Sequence, residues 1–193
     1  MKAAPNKSKL GGVISIIALI LFALGTIWIN YQVKVNVQGG GHRAGAVPEM
    51  GNVKIGQPAP DFSTLDLSNQ TVSLSSYRGK KVVLLDFWAT WCGPCRMEMV
   101  ELQTLQKKFS AADFEILSLN QQEAADQVRQ FIRRKQYDFH VLLDDGAASA
   151  KYGVRGIPTL VLVDKSGVIQ QLQVGYSPGA SDLETEIKSL IKK

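Results

Sequence analysis

Cysteine and histidine are the scarce residues of this chain, with two of each among 193. A structural zinc takes four ligands, so Cys92 and Cys95 would need both His42 and His140 as partners. His42 lies in a glycine-rich stretch and His140 at the start of an apolar segment, which leaves a structural metal site poorly supported. A bridge between Cys92 and Cys95 would close a loop too short to remove much entropy from the unfolded chain, and no third cysteine exists to staple distant segments. Excess charge is scarce as well. Formal net charge is +5, but Lys2, Lys7 and Lys9 carry three of those charges at the extreme N-terminus. Removing them from the 22 basic residues leaves 19 against 17 acidic ones, or +2 for the body. Nucleic-acid binding calls for a clustered basic face, and none is evident. There is no internal repeat and no low-complexity tract. At 45% hydrophobic and 20% charged, the composition is that of a globular protein, with length for one compact domain and hardly two.

One long stretch lacks charge altogether. Leu10 to Ile29, LGGVISIIALILFALGTIWI, would span roughly 30 Å as a helix, the thickness of a bilayer's hydrocarbon core. The lysines before it place residues 1–9 in the cytoplasm and export the chain beyond the run, and Trp28 and Tyr31 suit an interfacial aromatic belt. An uncleaved transmembrane anchor over residues 10–29 is the favoured reading. The rival is a signal peptide cleaved near Ala23-Leu24-Gly25, against which Trp28 and Ile29 prolong a run already beyond the usual apolar length of about 7–15. Both readings export the domain across a cell membrane. Residues 30–52, with Gly39, Gly40 and Gly41, suit a flexible tether, and a folded domain is expected over 53–193.

That domain alternates strand and helix patterns. Lys81–Trp88 (KVVLLDFW) is a near-continuous apolar run, as in a strand buried on both faces. Met99, Leu102, Leu105 and Phe109 follow from Cys95 at helical spacing. Phe114–Leu119 reads as the next strand, and Ala124, Ala125, Val128, Phe131 and Ile132 mark a helix face. A short strand at Val141–Leu143 and a helical turn at Ala147–Tyr152 come next. Thr159–Asp164 and Val168–Val174 flank Lys-Ser-Gly, a hairpin signal. Leu183, Ile187, Leu190 and Ile191 give a closing amphipathic helix, with Lys192 and Lys193 well placed at its C-terminus. These patterns imply an α/β fold with a central mixed β-sheet flanked by helices.

The chemistry gathers in Asp86–Cys95, DFWATWCGPC. Cys92 comes after the buried strand and opens a helix, so its sulfur faces unpaired N–H groups and the positive end of the helix dipole. Both lower a thiol pKa, as in Cys-x-x-Cys motifs generally. Gly93 allows a close approach, and Pro94 has no N–H to leave unsatisfied in the first turn. Cys95, one turn in, is deeper. Cys92 is therefore expected to attack and Cys95 to resolve the mixed disulfide. Asp86 shares a face with Leu84 and Trp88, where burial raises a carboxyl pKa toward the range of a general base. It is expected to take the proton from Cys95, directly or through a water. The bland alternative is an aspartate that reaches solvent or pairs with Lys80 or Lys81. An inert reduced pair and transient copper binding by two thiolates also stay open.

DFWATWCGPC resembles the active-site segment of the thioredoxin superfamily. GQPAPDF (56–62), VSLSSYRGKKVVLLDFWATWCGPCRMEM (72–99) and GIPT (156–159) together resemble the membrane-anchored TlpA/ResA-like thiol–disulfide oxidoreductases, of the redoxin class. The strand-and-helix material between Phe114 and Val141 favours this branch over small cytosolic thioredoxins. The resemblance implies a thioredoxin-like fold after one N-terminal transmembrane helix, with a redox-active Cys92–Cys95 pair and Trp91 covering the site. It also implies a cis-proline at Pro158, with the Ile157 backbone pairing to an extended substrate segment. Glu98 matches an acid common after the motif, though a solvated helix-face glutamate reads nearly as well. Two departures stand out. The branch often has Asn where Asp86 stands, and Pro where Val100 stands, so a straighter helix is expected here.

The function implied is a tethered reductant outside the cytoplasm, without a cofactor. A transmembrane thiol-electron donor would feed it, and exported proteins with oxidised cysteine pairs, such as apocytochrome c, would be its targets. Sequence leaves the direction of electron flow open, because about 30 mV corresponds to only about 1.4 kcal/mol for this couple. A dithiol oxidase or isomerase is therefore an alternative. A peroxiredoxin-type peroxidase usually has Thr three residues before its cysteine, where Ala89 stands here. A thiol metallochaperone or a holdase using the surface around Trp91 is a third class.

Overall fold

The computed structural model describes residues 51–178 and 181–193. The apolar run 10–29, residues 30–50 of the expected tether, and His42 lie outside them. Among the described residues no helix is long and apolar enough to cross a membrane.

Seven strands form one sheet: β1 (Ser63–Asp66), β2 (Thr71–Ser73), β3 (Val82–Trp88), β4 (Phe114–Gln121), β5 (His140–Asp144), β6 (Thr159–Val163) and β7 (Ile169–Val174). Their order across the sheet is β2-β1-β5-β4-β3-β6-β7. The strands β3, β4 and β5 are parallel, and the remaining pairings are antiparallel. Among the described residues, helices α1 (Gly93–Gln106), α2 (Ala125–Lys135), α3 (Ala147–Tyr152) and α4 (Ser181–Ile191) accompany the sheet, with a 3-10 turn at Leu74–Tyr77. The sheet is mixed and flanked by helices, as the alternating pattern predicts.

All seven residues of β3 are buried because the strand is paired on both edges and covered on both faces. Its side chains alternate between two cores. Val83, Leu85 and Phe87 meet Leu117, Leu119, Val161, Tyr152 of α3 and the N-terminal Phe62. Val82 and Leu84 meet Leu102 and Leu105 of α1 with Leu183, Ile187 and Leu190 of α4. Trp88 lies on this second face with Met99, Val128 and Phe131, its ring 5.4 Å from that of Phe131. Each fully buried Leu or Phe contributes about 1.5–3 kcal/mol relative to exposure, so the two layers hold β3 from both sides.

The β6–β7 hairpin turns where Lys-Ser-Gly stands. Asp164 accepts hydrogen bonds from the Val168 N–H at 2.9 Å and the Ser166 hydroxyl at 2.6 Å. Gly167 has φ +86°, in the left-handed region that favours glycine. The strands β1 and β2 carry no apolar run. They are a short edge hairpin, held because Phe62, Val72 and Leu74 turn into the first core. Helix α1 continues unbroken through Val100.

Candidate active site

Strand β3 delivers the site. After Trp88 the chain turns, with the Cys92 N–H donating to the Ala89 carbonyl at 3.1 Å, and Cys92 becomes the N-cap of α1. Its Sγ accepts a hydrogen bond from the Cys95 N–H at 3.2 Å. The sulfur thus takes one of the donors that every helix N-terminus leaves unpaired, at the positive end of the dipole. In the dithiol state the same two features favour the Cys92 thiolate. The structure holds the oxidised form: Cys92 and Cys95 are joined by a disulfide, with Cα atoms 5.3 Å apart. Cys92 is 4% exposed and Cys95 1%, so Cys95 is the deeper of the two.

Pro94 sits in the first turn of α1, where its missing N–H leaves nothing unsatisfied. Gly93 is not required by close packing within the chain. A Cβ there would meet only the Arg96 guanidinium at 4.0 Å, so the space beside Gly93 opens outward. Trp91 is 69% exposed next to the disulfide. The Ile157–Pro158 peptide is cis. Ile157 is half-buried and packs against the apolar cluster that contains Cys92 and Cys95. The Pro158 carbonyl accepts from the Gly175 N–H at 2.8 Å, tying the cis-proline loop to the end of β7.

Two carboxyl groups on the elements that carry the motif are buried, Asp86 of β3 and Glu98 of α1. Asp86 is 1% exposed on the face it shares with Leu84 and Trp88. Its Oδ2 accepts from the Ser118 hydroxyl at 3.0 Å, across the β3–β4 register, and Oδ1 has no partner among the described residues. Neither lysine considered as its partner reaches it: Lys80 Nζ donates to the Ser76 carbonyl, and Lys81 pairs with Glu115 at 2.7 Å. Burial pushes the Asp86 carboxyl up to about 7, with the Ser118 bond pulling partly the other way. Glu98 is 4% exposed, which removes the solvated helix-face alternative. Its carboxyl is pushed up to about 9, first by burial, then by the negative charges of Asp86 and Glu101. Its Oε1 accepts a long hydrogen bond from Gln173 Nε2, 3.4 Å.

Ser118 and Gln173, which bond to these two carboxyls, are marked by no sequence motif, since both arrive through strand register. Glu98 did carry a signal. Cys95, Glu98, Met99 and Leu102 fall at i, i+3, i+4 and i+7, the buried stripe of a helix. Among the described residues, no group of three or more His, Cys, Asp or Glu is arranged to hold a metal.

A helix-capping Cys-Gly-Pro-Cys disulfide at the end of the central strand, beside a cis-proline loop, defines a thioredoxin-like protein disulfide oxidoreductase. Comparison with known proteins agrees. The chain is 41% identical over 126 residues to the thioredoxin-like protein YneN of Bacillus subtilis, covering 64% of this chain and 73% of that one. It is 37% identical over 123 residues to the thiol-disulfide oxidoreductase ResA of Bacillus thuringiensis subsp. konkukian, covering 63% and 70%. The crystal structure of a proposed thiol:disulfide interchange protein DsbE from Chlorobium tepidum superposes with a TM-score of 0.67 at 33% identity, over 72% of this chain and 99% of that one. Residues 54–187 match the Redoxin family, and the chain belongs to it.

Proposed function

We propose that this protein is a membrane-tethered reductant of disulfides in exported proteins, acting outside the cytoplasm. The observation that carries the reading is the Cys92 sulfur at the N-cap of α1, accepting from the Cys95 N–H and bonded to a deeper sulfur on the same helix. In the reducing direction the Cys92 thiolate attacks one sulfur of the target disulfide, and the other target sulfur leaves as a thiolate. Cys95 then gives its proton to Asp86 and attacks Cys92 Sγ. The Cys92–Cys95 bond forms, the mixed disulfide breaks, and the second target thiolate is released. Asp86 suits the transfer because its carboxyl titrates near neutrality. The Ile157 backbone would pair with the extended target segment, and Trp91 would cover it.

The anchor is the uncharged run Leu10–Ile29, and residues 30–52 would give the domain reach. A reductant in an oxidising compartment needs a supply of electrons, so the donor would be a transmembrane thiol-electron transporter. Apocytochrome c before haem attachment is the target class favoured. Trapping in cells with Cys95→Ser tests this. Exported proteins with cysteine pairs should be caught on Cys92 as mixed disulfides. Recovery of none, together with a reduction potential far more oxidising than the roughly −270 mV of thioredoxin, would assign the protein to dithiol oxidation or isomerisation instead.

A further inference from the structure

The turn that carries Cys92 is tied to the sheet by a carboxylate that the thiol chemistry does not touch. Glu123 lies between β4 and α2, and two donors serve each of its oxygens. Oε2 accepts from the Thr90 N–H at 2.6 Å and from the Asn120 amide at 2.8 Å. Oε1 accepts from the Thr90 hydroxyl at 2.5 Å and from the Gln127 amide at 2.5 Å. The Gln127 amide also donates to Thr90 Oγ1 at 3.0 Å. With four donors the acceptor capacity of a carboxylate is essentially filled. Asn120 is fully buried and sits opposite Trp88 in the β3–β4 register. The network therefore runs from the sheet interior, through Glu123, to the main chain and side chain of the residue two before Cys92.

Bidentate bonds to an ionised carboxylate belong to the strong class. Here they converge on one threonine in a turn that has no regular secondary structure of its own between Trp88 and Gly93. We propose that Glu123 is a positioning residue for that turn: through Thr90 it sets where the Cys92 sulfur and Trp91 stand relative to an incoming disulfide. This rests on the thiol-exchange function above. Attack on a disulfide proceeds along the sulfur–sulfur axis, and a misplacement of about 1 Å can slow such a step about 10²-fold. The charge of Glu123 would act in the opposite sense, since an anion near a thiol opposes thiolate formation. Position and charge therefore predict opposite results when Glu123 is neutralised.

The test uses the full-length chain with Thr90→Val, Thr90→Ser, Glu123→Gln and the double variant Thr90→Val/Glu123→Gln. Insulin disulfide reduction, Cys92 alkylation against pH, and amide exchange at Thr90 to Cys92 are measured. Thr90→Val and Glu123→Gln should each lower kcat/KM for insulin about tenfold, and Thr90→Ser should stay within about twofold of wild type. The double variant should be no worse than the poorer single one, because the two residues act as one unit. Protection of the Thr90 amide should fall in Glu123→Gln, which leaves one acceptor oxygen where four donors shared two. Should that variant fail to fold, Thr90→Val, which removes one hydroxyl, carries the comparison. Wild-type insulin reduction in Thr90→Val, additive losses in the double variant, or faster alkylation with intact insulin reduction in Glu123→Gln would each overturn the proposal. A wild-type chain that reduces no protein disulfide would sink the functional reading alone. The Thr90 amide then decides the clamp, with loss of protection in Glu123→Gln supporting it and unchanged protection overturning it.

Discussion

Replacing Asp86 with Asn should make the oxidised protein more stable, and only above acidic pH. Burial lifts this carboxyl from its ordinary 3.8 to about 7. At 1.36 kcal/mol per pH unit, that difference of about three units makes ionising Asp86 in the fold unfavourable by about 4 kcal/mol. For an acid whose pKa is raised by folding, the unfolded chain releases its proton near pH 4 while the folded protein holds it until about 7. Wild-type stability therefore falls across that window and levels off above it. Asparagine carries no titrating proton, and its carbonyl can still accept from Ser118. Urea unfolding at about pH 4 should give matching stabilities. At about pH 8 the variant should be ahead by up to about 4 kcal/mol, or roughly 10 °C in Tm for a domain of this size. The same change removes the Asp86 charge from Glu98, so the Glu98 carboxyl should titrate lower. A stability difference that does not change with pH, or a variant less stable than wild type at alkaline pH, would refute the assignment of Asp86 as a buried, proton-holding group. In stopped-flow measurements of mixed-disulfide resolution, the inflection near pH 7 should vanish in the variant. An unchanged profile would end its role as base.

The same geometry fixes three further outcomes. Glu98→Gln should match wild-type stability at about pH 4 and exceed it increasingly toward pH 9, because the native glutamate keeps its proton to about 9; denaturant titration against pH checks this. Trp91 is 69% exposed, so Trp91→Ala should alter stability by less than about 0.5 kcal/mol. It should raise KM for a protein disulfide several-fold while leaving Cys92 alkylation unchanged. Asp144 is buried and accepts from the N–H groups of Gly146, Ala148 and Ser149 and from the Gln121 amide. Asp144→Ala should destabilise by about 2–3 kcal/mol, seen in urea unfolding, with the pH profile of exchange unaltered.

The parts legible in the sequence are those where the pattern is forced by burial on two sides or by a rigid motif. Lys81–Trp88 announces β3 because a strand covered on both faces can hold little but apolar residues, and the Lys-Ser-Gly turn announces the hairpin because its positive φ favours glycine at position 167. The Ala147–Tyr152 turn matches α3 end to end. Strands β1 and β2 are not legible: four and three residues long, alternately exposed, they owe their existence to flanking anchors rather than to their own composition. In the site, the cysteine pair and Asp86 stand out because a charge inside an apolar strand and a lone Cys-x-x-Cys are rare patterns. Ser118 and Gln173 reach the two carboxyls only through the register of β4 beside β3 and of β7 beside β6, a long-range property that no local window contains. Glu98 is half legible, its spacing inward and its chemistry outward.

The placement of β3 has a mechanical consequence. While a client is covalently attached to Cys92, any tug from the client is transmitted into a seven-residue strand gripped by neighbours along both edges. Such a load is shared as shear across several rungs of the ladder, whereas at a margin strand it would peel rungs one at a time. The protein can thus stay folded while yoked to a partly unfolded and moving polypeptide for as long as the second sulfur takes to release it.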